Sequence, residues 1–124
     1  MMKNLFSVYE KVVIITGAGR SIGYNLAIGL AKCSAKIYSL DKKFTRKISR
    51  NLSSNVIQIK CDITDHKKIR QIFKRIYLKE KRIDVLINNA AVSFALQRKN
   101  QIYSEKDWIQ TINVNLTGSF YCSK

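Results

Sequence analysis

Lys11-Val-Val-Ile-Ile-Thr-Gly-Ala-Gly-Arg-Ser-Ile-Gly23 is the stretch that decides the fold. A β-branched apolar run stops at a glycine turn, and an amphipathic segment follows at once. That order predicts a buried strand, a tight loop and the N-terminus of a helix. The unpaired N–H groups and the macrodipole of such a helix end favour an anion. Glycine in the loop lets a pyrophosphate approach the backbone, so the feature implies a dinucleotide cofactor.

Working outward, Val12–Thr16 is expected as a central strand covered on both faces. Ser21–Cys33 reads as a helix, with Ile22, Leu26, Leu30, Ala27 and Ala31 near one face. Ala35–Leu40 is a second strand ending at Asp41, and Val56–Lys60 a third. Residues 42–55 read as a basic loop or short irregular helix. Asp62-Ile-Thr-Asp65 offers helix caps, and Ile69, Ile72, Phe73, Ile76 and Tyr77 carry a helical stripe over Asp65–Leu78. Asp84–Ile87 is a fourth strand, running into Asn88-Asn-Ala-Ala91. Ser104 and Asp107 resemble a capping box opening a helix that carries Trp108, Ile112, Asn115, Leu116 and Phe120.

Strands alternating with helical crossovers predict an α/β, Rossmann-like parallel sheet with helices on both faces. The expected strand order is 3-2-1-4, and the sheet is read as cut off after about four strands. Residues 1–124 are expected to form one domain, read as incomplete at its C-terminus, with no linker, repeat or proline in the sequence. In such a sheet the glycine loop, Asp41, Asp62 and Asn88–Ala91 all fall at the carboxyl ends of strands, where ligands bind.

Those segments together resemble the short-chain dehydrogenase/reductase family, over nearly all of residues 10–124. Thr16–Gly23 looks like its Thr-Gly-x-x-x-Gly-x-Gly loop, with Ser21 standing where the middle glycine is usual. Asp62 looks like its adenine-contacting acid, and Asn88–Ala91 is similar to its Asn-Asn-Ala-Gly signature. Asp107-Trp108 with Asn113–Phe120 looks like its fourth helix, in which Asn115 matches the catalytic-site asparagine. The resemblance implies NAD(P)-dependent oxidation or reduction of an alcohol/carbonyl pair. It assigns Gly17, Arg20, Ser21, Ile22, Gly23, Asp41, Asp62, Ile63, Asn89 and Ala90 to the cofactor and Asn115 to catalysis. The family's catalytic Ser and Tyr-x-x-x-Lys pair fall beyond Lys124, and the chain is read as lacking them, a truncated and catalytically incomplete form. Tyr121 and Lys124, three apart, read as ordinary helix residues.

Asp41 closes the second strand, where a carboxylate bonds ribose hydroxyls and repels a 2′-phosphate, so NAD is expected. Arg20, Lys42 and Lys43 leave NADP as the alternative. Two other readings stand beside the oxidoreductase: a non-catalytic nucleotide- or partner-binding protein, and a basic nucleic-acid binder on the same scaffold.

The formal charge of +15, from 23 Lys and Arg against 8 Asp and Glu, is spread along the chain. It predicts salt-sensitive adsorption to polyanions without a specific nucleic-acid partner. Lys67–Arg82 reads as a basic amphipathic helix whose cations form a solvated face, with RNA or an anionic membrane surface as the alternative use of that charge. No membrane span is expected. Cys33, Cys61 and Cys122 lack metal-type spacing and read as reduced, mostly buried thiols of a cytoplasmic protein, with no metal. His66 is expected to face solvent at a helix start. The expected partners are the dinucleotide, a small alcohol or carbonyl if the chain is completed, and a second copy in a homo-oligomer.

Overall fold

A computed structural model describes residues 6–45, 52–94 and 104–124. Four parallel strands, β1 (Val12–Thr16), β2 (Lys36–Asp41), β3 (Val56–Lys60) and β4 (Val85–Ile87), lie in the order β3-β2-β1-β4. This is the expected order. Ile14 sits opposite Tyr38 on one side and Leu86 on the other, and Ile37 opposite Val56. The stretch 42–55, expected as a loop or short helix, is described only in part, since 46–51 lie outside the described residues.

The two-residue period of a strand divides the core. Val13, Ile15 and Ile37 face helix α1 (Ser21–Lys32) through Ala27 and Ala31. Val12, Ile14, Tyr38 and Leu40 face helix α2 (His66–Glu80) through Ile69, Ile72 and Ile76. Every residue of β1 is buried, so the central strand is covered on both faces as expected. β4 is an outer strand of the sheet, with Val85 exposed.

Two expectations are corrected. The face of α1 that meets the sheet is Gly23, Ala27 and Ala31, spaced four apart, while Ile22 is 70% exposed and Leu26 lies outside the core. Small residues bring the helix axis close to β1, and larger side chains would hold it off. In α2, Tyr77 leaves the buried stripe and is exposed. The last helix runs unbroken over 105–123 as expected, but widens in its middle: α3 (Glu105–Ile112) passes through a π-helical turn, Asn113–Gly118, into α4 (Ser119–Ser123). Its inward residues are Asp107, Val114, Gly118 and Cys122, whereas Trp108, Leu116 and Phe120 are exposed. Gly118 packs so closely on Ile63 that a β-carbon would overlap it, which holds this face inward.

The caps follow the sequence. Asp65 accepts from the Lys68 N–H at 3.0 Å and starts α2. Ser104 and Asp107 form a reciprocal capping box on α3. His66 is exposed as expected, although its ring lies 5.1 Å from that of Tyr121.

Candidate functional site

The site is built where β1 and β4 end. Asn89 Nδ2 donates to Thr16 O at 3.1 Å and to Gly17 O at 3.0 Å. Thr16 Oγ1 in turn accepts from the N–H groups of Asn89 and Ala90, each at 3.1 Å. These bonds tie the glycine loop to the turn after β4. Gly17 has φ +66°, and a β-carbon there would meet Ala90. A β-carbon on Gly23 would meet the Gly17 carbonyl, and one on Gly19 the Asp41 carboxylate. The glycines are therefore required by packing within the loop itself, not only by room for a ligand.

Ser21 adopts φ +47°, the left-handed region that a side chain disfavours. The residue type is unusual for that conformation, and glycine is the residue that relieves it. Arg20 is the Ncap of α1 and supplies no side-chain cap, and the first turn contains no acid. The first turn of α1 thus brings no carboxylate of its own to its positive end.

Asp41 spans the loop from the other side. Its Oδ2 accepts from the Gly19 N–H at 2.8 Å and its Oδ1 from the Lys43 N–H at 3.1 Å. Next to it, Lys42 Nζ lies 2.8 Å from Asp62 Oδ2, joining the end of β2 to the end of β3. Asp62 Oδ1 accepts from Thr64 N and Oγ1 at 3.0 and 2.8 Å. Burial by itself raises the Asp62 carboxyl, but the bonds from Lys42 and Thr64 outweigh it and hold the pKa below the usual carboxylate value.

A cleft of about 660 Å³ opens between these groups. All ten residues assigned to a cofactor from the sequence line it: Gly17, Arg20, Ser21, Ile22, Gly23, Asp41, Asp62, Ile63, Asn89 and Ala90. The volume lies in the range of small-molecule sites. Cys61, Val92, Gln110 and Val114 also line it, and no sequence signal singles them out. Only the fold brings Gln110 and Val114 here, since their helix is far along the chain from the loop. Thr16 is the other residue that sequence reasoning misses. Its place at the end of an otherwise apolar strand is the signal that could have found it.

Asn115 does not line the cleft. It stands in the π-helical turn, where its carboxamide is paired with the backbone of Val92. Tyr-x-x-x-Lys spacing, expected to be absent, occurs twice, at Tyr38–Lys42 and Tyr77–Lys81. Neither makes a site. Tyr38 is buried in the core with its hydroxyl on Glu80 at 2.5 Å, and burial followed by Glu80 pushes its pKa upward. Tyr77 is exposed on α2, and Lys81 is the left-handed C-cap of that helix.

Of the three thiols, Cys61 and Cys122 are buried and Cys33 is exposed, none in a disulfide. Burial raises the Cys122 thiol to about 11 and also raises Cys61, so both stay protonated at neutral pH. Among the described residues no group of His, Cys, Asp and Glu forms a metal site, and no helix is long and apolar enough to cross a membrane.

A family model for short chain dehydrogenases matches residues 11–124. The chain is 34% identical over 121 residues to a 3-oxoacyl-(acyl-carrier-protein) reductase of Buchnera aphidicola subsp. Baizongia pistaciae, covering 93% of this chain and 47% of that protein. A short chain dehydrogenase of Leptospira borgpetersenii, solved with bound NAD+, superposes with a TM-score of 0.77 at 28% identity, over 99% of this chain and 48% of that one. An ElxO variant with NADPH bound gives 0.79 at 29% identity, over 92% and 48%. The chain spans about half the length of these relatives. From the glycine loop through the β3-β2-β1-β4 sheet to the asparagine-bearing helix, the chain belongs to the short-chain dehydrogenase family.

Proposed function

We propose that the cleft holds the dinucleotide of NAD and that the chain serves an oxidoreductase that interconverts an alcohol and a carbonyl. One observation carries the reading: the ten residues chosen from the sequence converge on a single cleft at the carboxyl ends of the strands. Residues and group fit. Three glycines whose β-carbons would collide with neighbouring protein atoms let the loop pack closely, and the first turn of α1, which contains no acid, presents its positive end to a pyrophosphate. When bound, the nicotinamide ring accepts or delivers the hydride. The solved relatives with NAD+ and NADPH support a dinucleotide in general.

NAD over NADP rests on Asp41. Its two backbone bonds leave lone pairs for ribose hydroxyls, and its charge opposes a 2′-phosphate. Lys42, a candidate phosphate partner, is already paired with Asp62. Asp62 and Ile63, which line the cleft with Asn89 and Ala90, would hold the adenine end, and Asn89 and Ala90 would flank the dinucleotide beside the glycine loop. Asn115 serves here as a positioning residue. A neutral amide does not titrate near pH 7, so it supplies no acid or base. A reduced-nicotinamide absorbance assay across an alcohol panel checks this role: turnover that disappears in Asn115→Ala would make Asn115 catalytic instead.

Three free thiols fit a reducing, cytosolic setting. Self-association fits the exposed Trp108, Leu116 and Phe120. The test of the central reading is titration calorimetry of the folded chain with NAD. Saturable binding that Gly19→Val abolishes supports it. No heat with the folded wild-type chain refutes it.

A further inference from the structure

The exposed face of α2 carries a dense run of positive charge. Lys67, Lys68, Arg70, Lys74, Arg75 and Lys79 are all exposed. None is in an ion pair among the described residues. Of the 8 acidic residues in the chain, α2 holds only Glu80, which is bound to Lys36 and Tyr38 on the sheet side. The Ncap Asp65 is engaged with the backbone N–H of Lys68.

This arrangement opposes the helix that bears it. Lys67 and Lys68 lie in the first turn, where the dipole favours acids and none is present. Arg70 with Lys74, and Arg75 with Lys79, are like-charge pairs at i, i+4, which destabilise a helix. The helix persists because Ile69, Ile72 and Ile76 are buried against the sheet. An external anion removes the opposition.

The extent of the charge identifies the anion. Six cations between Lys67 and Lys79 occupy about 18 Å of helix rise and fan over roughly half its circumference, a broad positive face that suits a flexible polyanion with one charge per repeat, as in an unpaired nucleic-acid strand. An anionic membrane fits poorly, because the apolar stripe that would insert is already buried. Tyr77, 56% exposed, has Lys74 and Lys81 three residues before and four after it. An exposed ring one helical turn from Lys74 is a platform on which an unpaired base stacks.

We infer that the outer face of α2 is a sequence-tolerant docking surface for a single nucleic-acid strand, gripping its phosphates with the Lys67–Lys79 cations and stacking a base on Tyr77. Its cations are exposed around and beyond the edges of the buried isoleucine stripe, and none of them lines the cleft.

The test is fluorescence anisotropy of a labelled oligouridylate of about 20 nucleotides across a salt series, using the whole chain. The triple variant Arg70→Gln, Lys74→Gln, Arg75→Gln is compared with Lys32→Gln, Lys60→Gln, Lys106→Gln, which removes equal charge from exposed positions outside α2. The α2 variant should flatten the slope of log K against log salt by about 2, at roughly 0.7 for each phosphate no longer neutralised. The control triple should leave the slope near wild type. Tyr77→Ala should weaken binding about tenfold with the slope unchanged. Circular dichroism confirms that each variant is folded. Equal slope losses in both triples would mean diffuse charge and overturn the proposal. So would no oligonucleotide binding at low salt, or binding to phosphatidylserine vesicles that the oligonucleotide does not compete.

Discussion

Asn115 and Val92 close a two-bond ring. The Val92 N–H donates to Asn115 Oδ1 at 2.8 Å, and Asn115 Nδ2 donates to the Val92 carbonyl at 3.0 Å. The carboxamide thereby acts as one more strand residue, fastening the segment after β4 to the π-helical turn. Asn115→Ala removes both bonds and should cost about 1 kcal/mol of stability, read from the urea midpoint. Asn115→Asp keeps the acceptor, loses the donor, and should fall in between. An unchanged midpoint in the alanine variant would contradict the clamp.

Ser21 stores strain in the loop. Its φ of +47° belongs to glycine, and a β-carbon is crowded there. Ser21→Gly should stabilise the chain by roughly 0.5–1 kcal/mol after the added freedom of the unfolded glycine is counted. The melting temperature should rise by about a few degrees in calorimetry. Ser21→Val should lower it.

Asp41 has two duties, so its loss should show in two measurements. Asp41→Ala frees the Gly19 N–H and loosens the loop, and NAD affinity should fall about tenfold, a change of about 1.4 kcal/mol. It also removes the charge that opposes a 2′-phosphate, so the preference for NAD over NADP should narrow. Titration calorimetry with both dinucleotides checks this. Tighter NADP binding by the unmodified chain would instead make Arg20, Lys42 and Lys43 a phosphate clamp.

Asp84 predicts an acid limb in stability. Its bonds from Arg82, opposed by burial and assisted by the Val12 N–H, hold its pKa below the usual carboxylate value. Glu80 is lowered too: burial raises it, and Lys36 and Tyr38 more than reverse that. A carboxyl depressed in the folded state stabilises the fold fully above its unfolded pKa, about 4 for these side chains. The contribution is lost as pH falls through the depressed folded value. Urea midpoints should thus hold steady from about pH 7 to 5 and decline below about pH 4. Asp84→Asn should flatten that decline. A midpoint that rises on acidification would reverse the sign of the argument.

The strands, their order and the cleft were legible in the chain because each rests on a short-range pattern. Val12–Thr16 is buried along its whole length, which its unbroken apolar run requires, and its successors alternate with a helical period. Glycine spacing marks the loop for the same local reason. What the sequence left undetermined is which side of a helix meets the sheet. Ile22 and Leu26 compete with Gly23, Ala27 and Ala31 for that role, and close approach to β1 gives it to the small residues. Trp108, Leu116 and Phe120 lose in the same way to Val114, Gly118 and Cys122, because Gly118 lets the helix reach Ile63. Residues distant along the chain settle the remainder: Asn89 closing on Thr16, Lys42 on Asp62, and Asn115 on Val92. Such pairings depend on where two elements lie in space, which no local period encodes and only the packed tertiary structure decides.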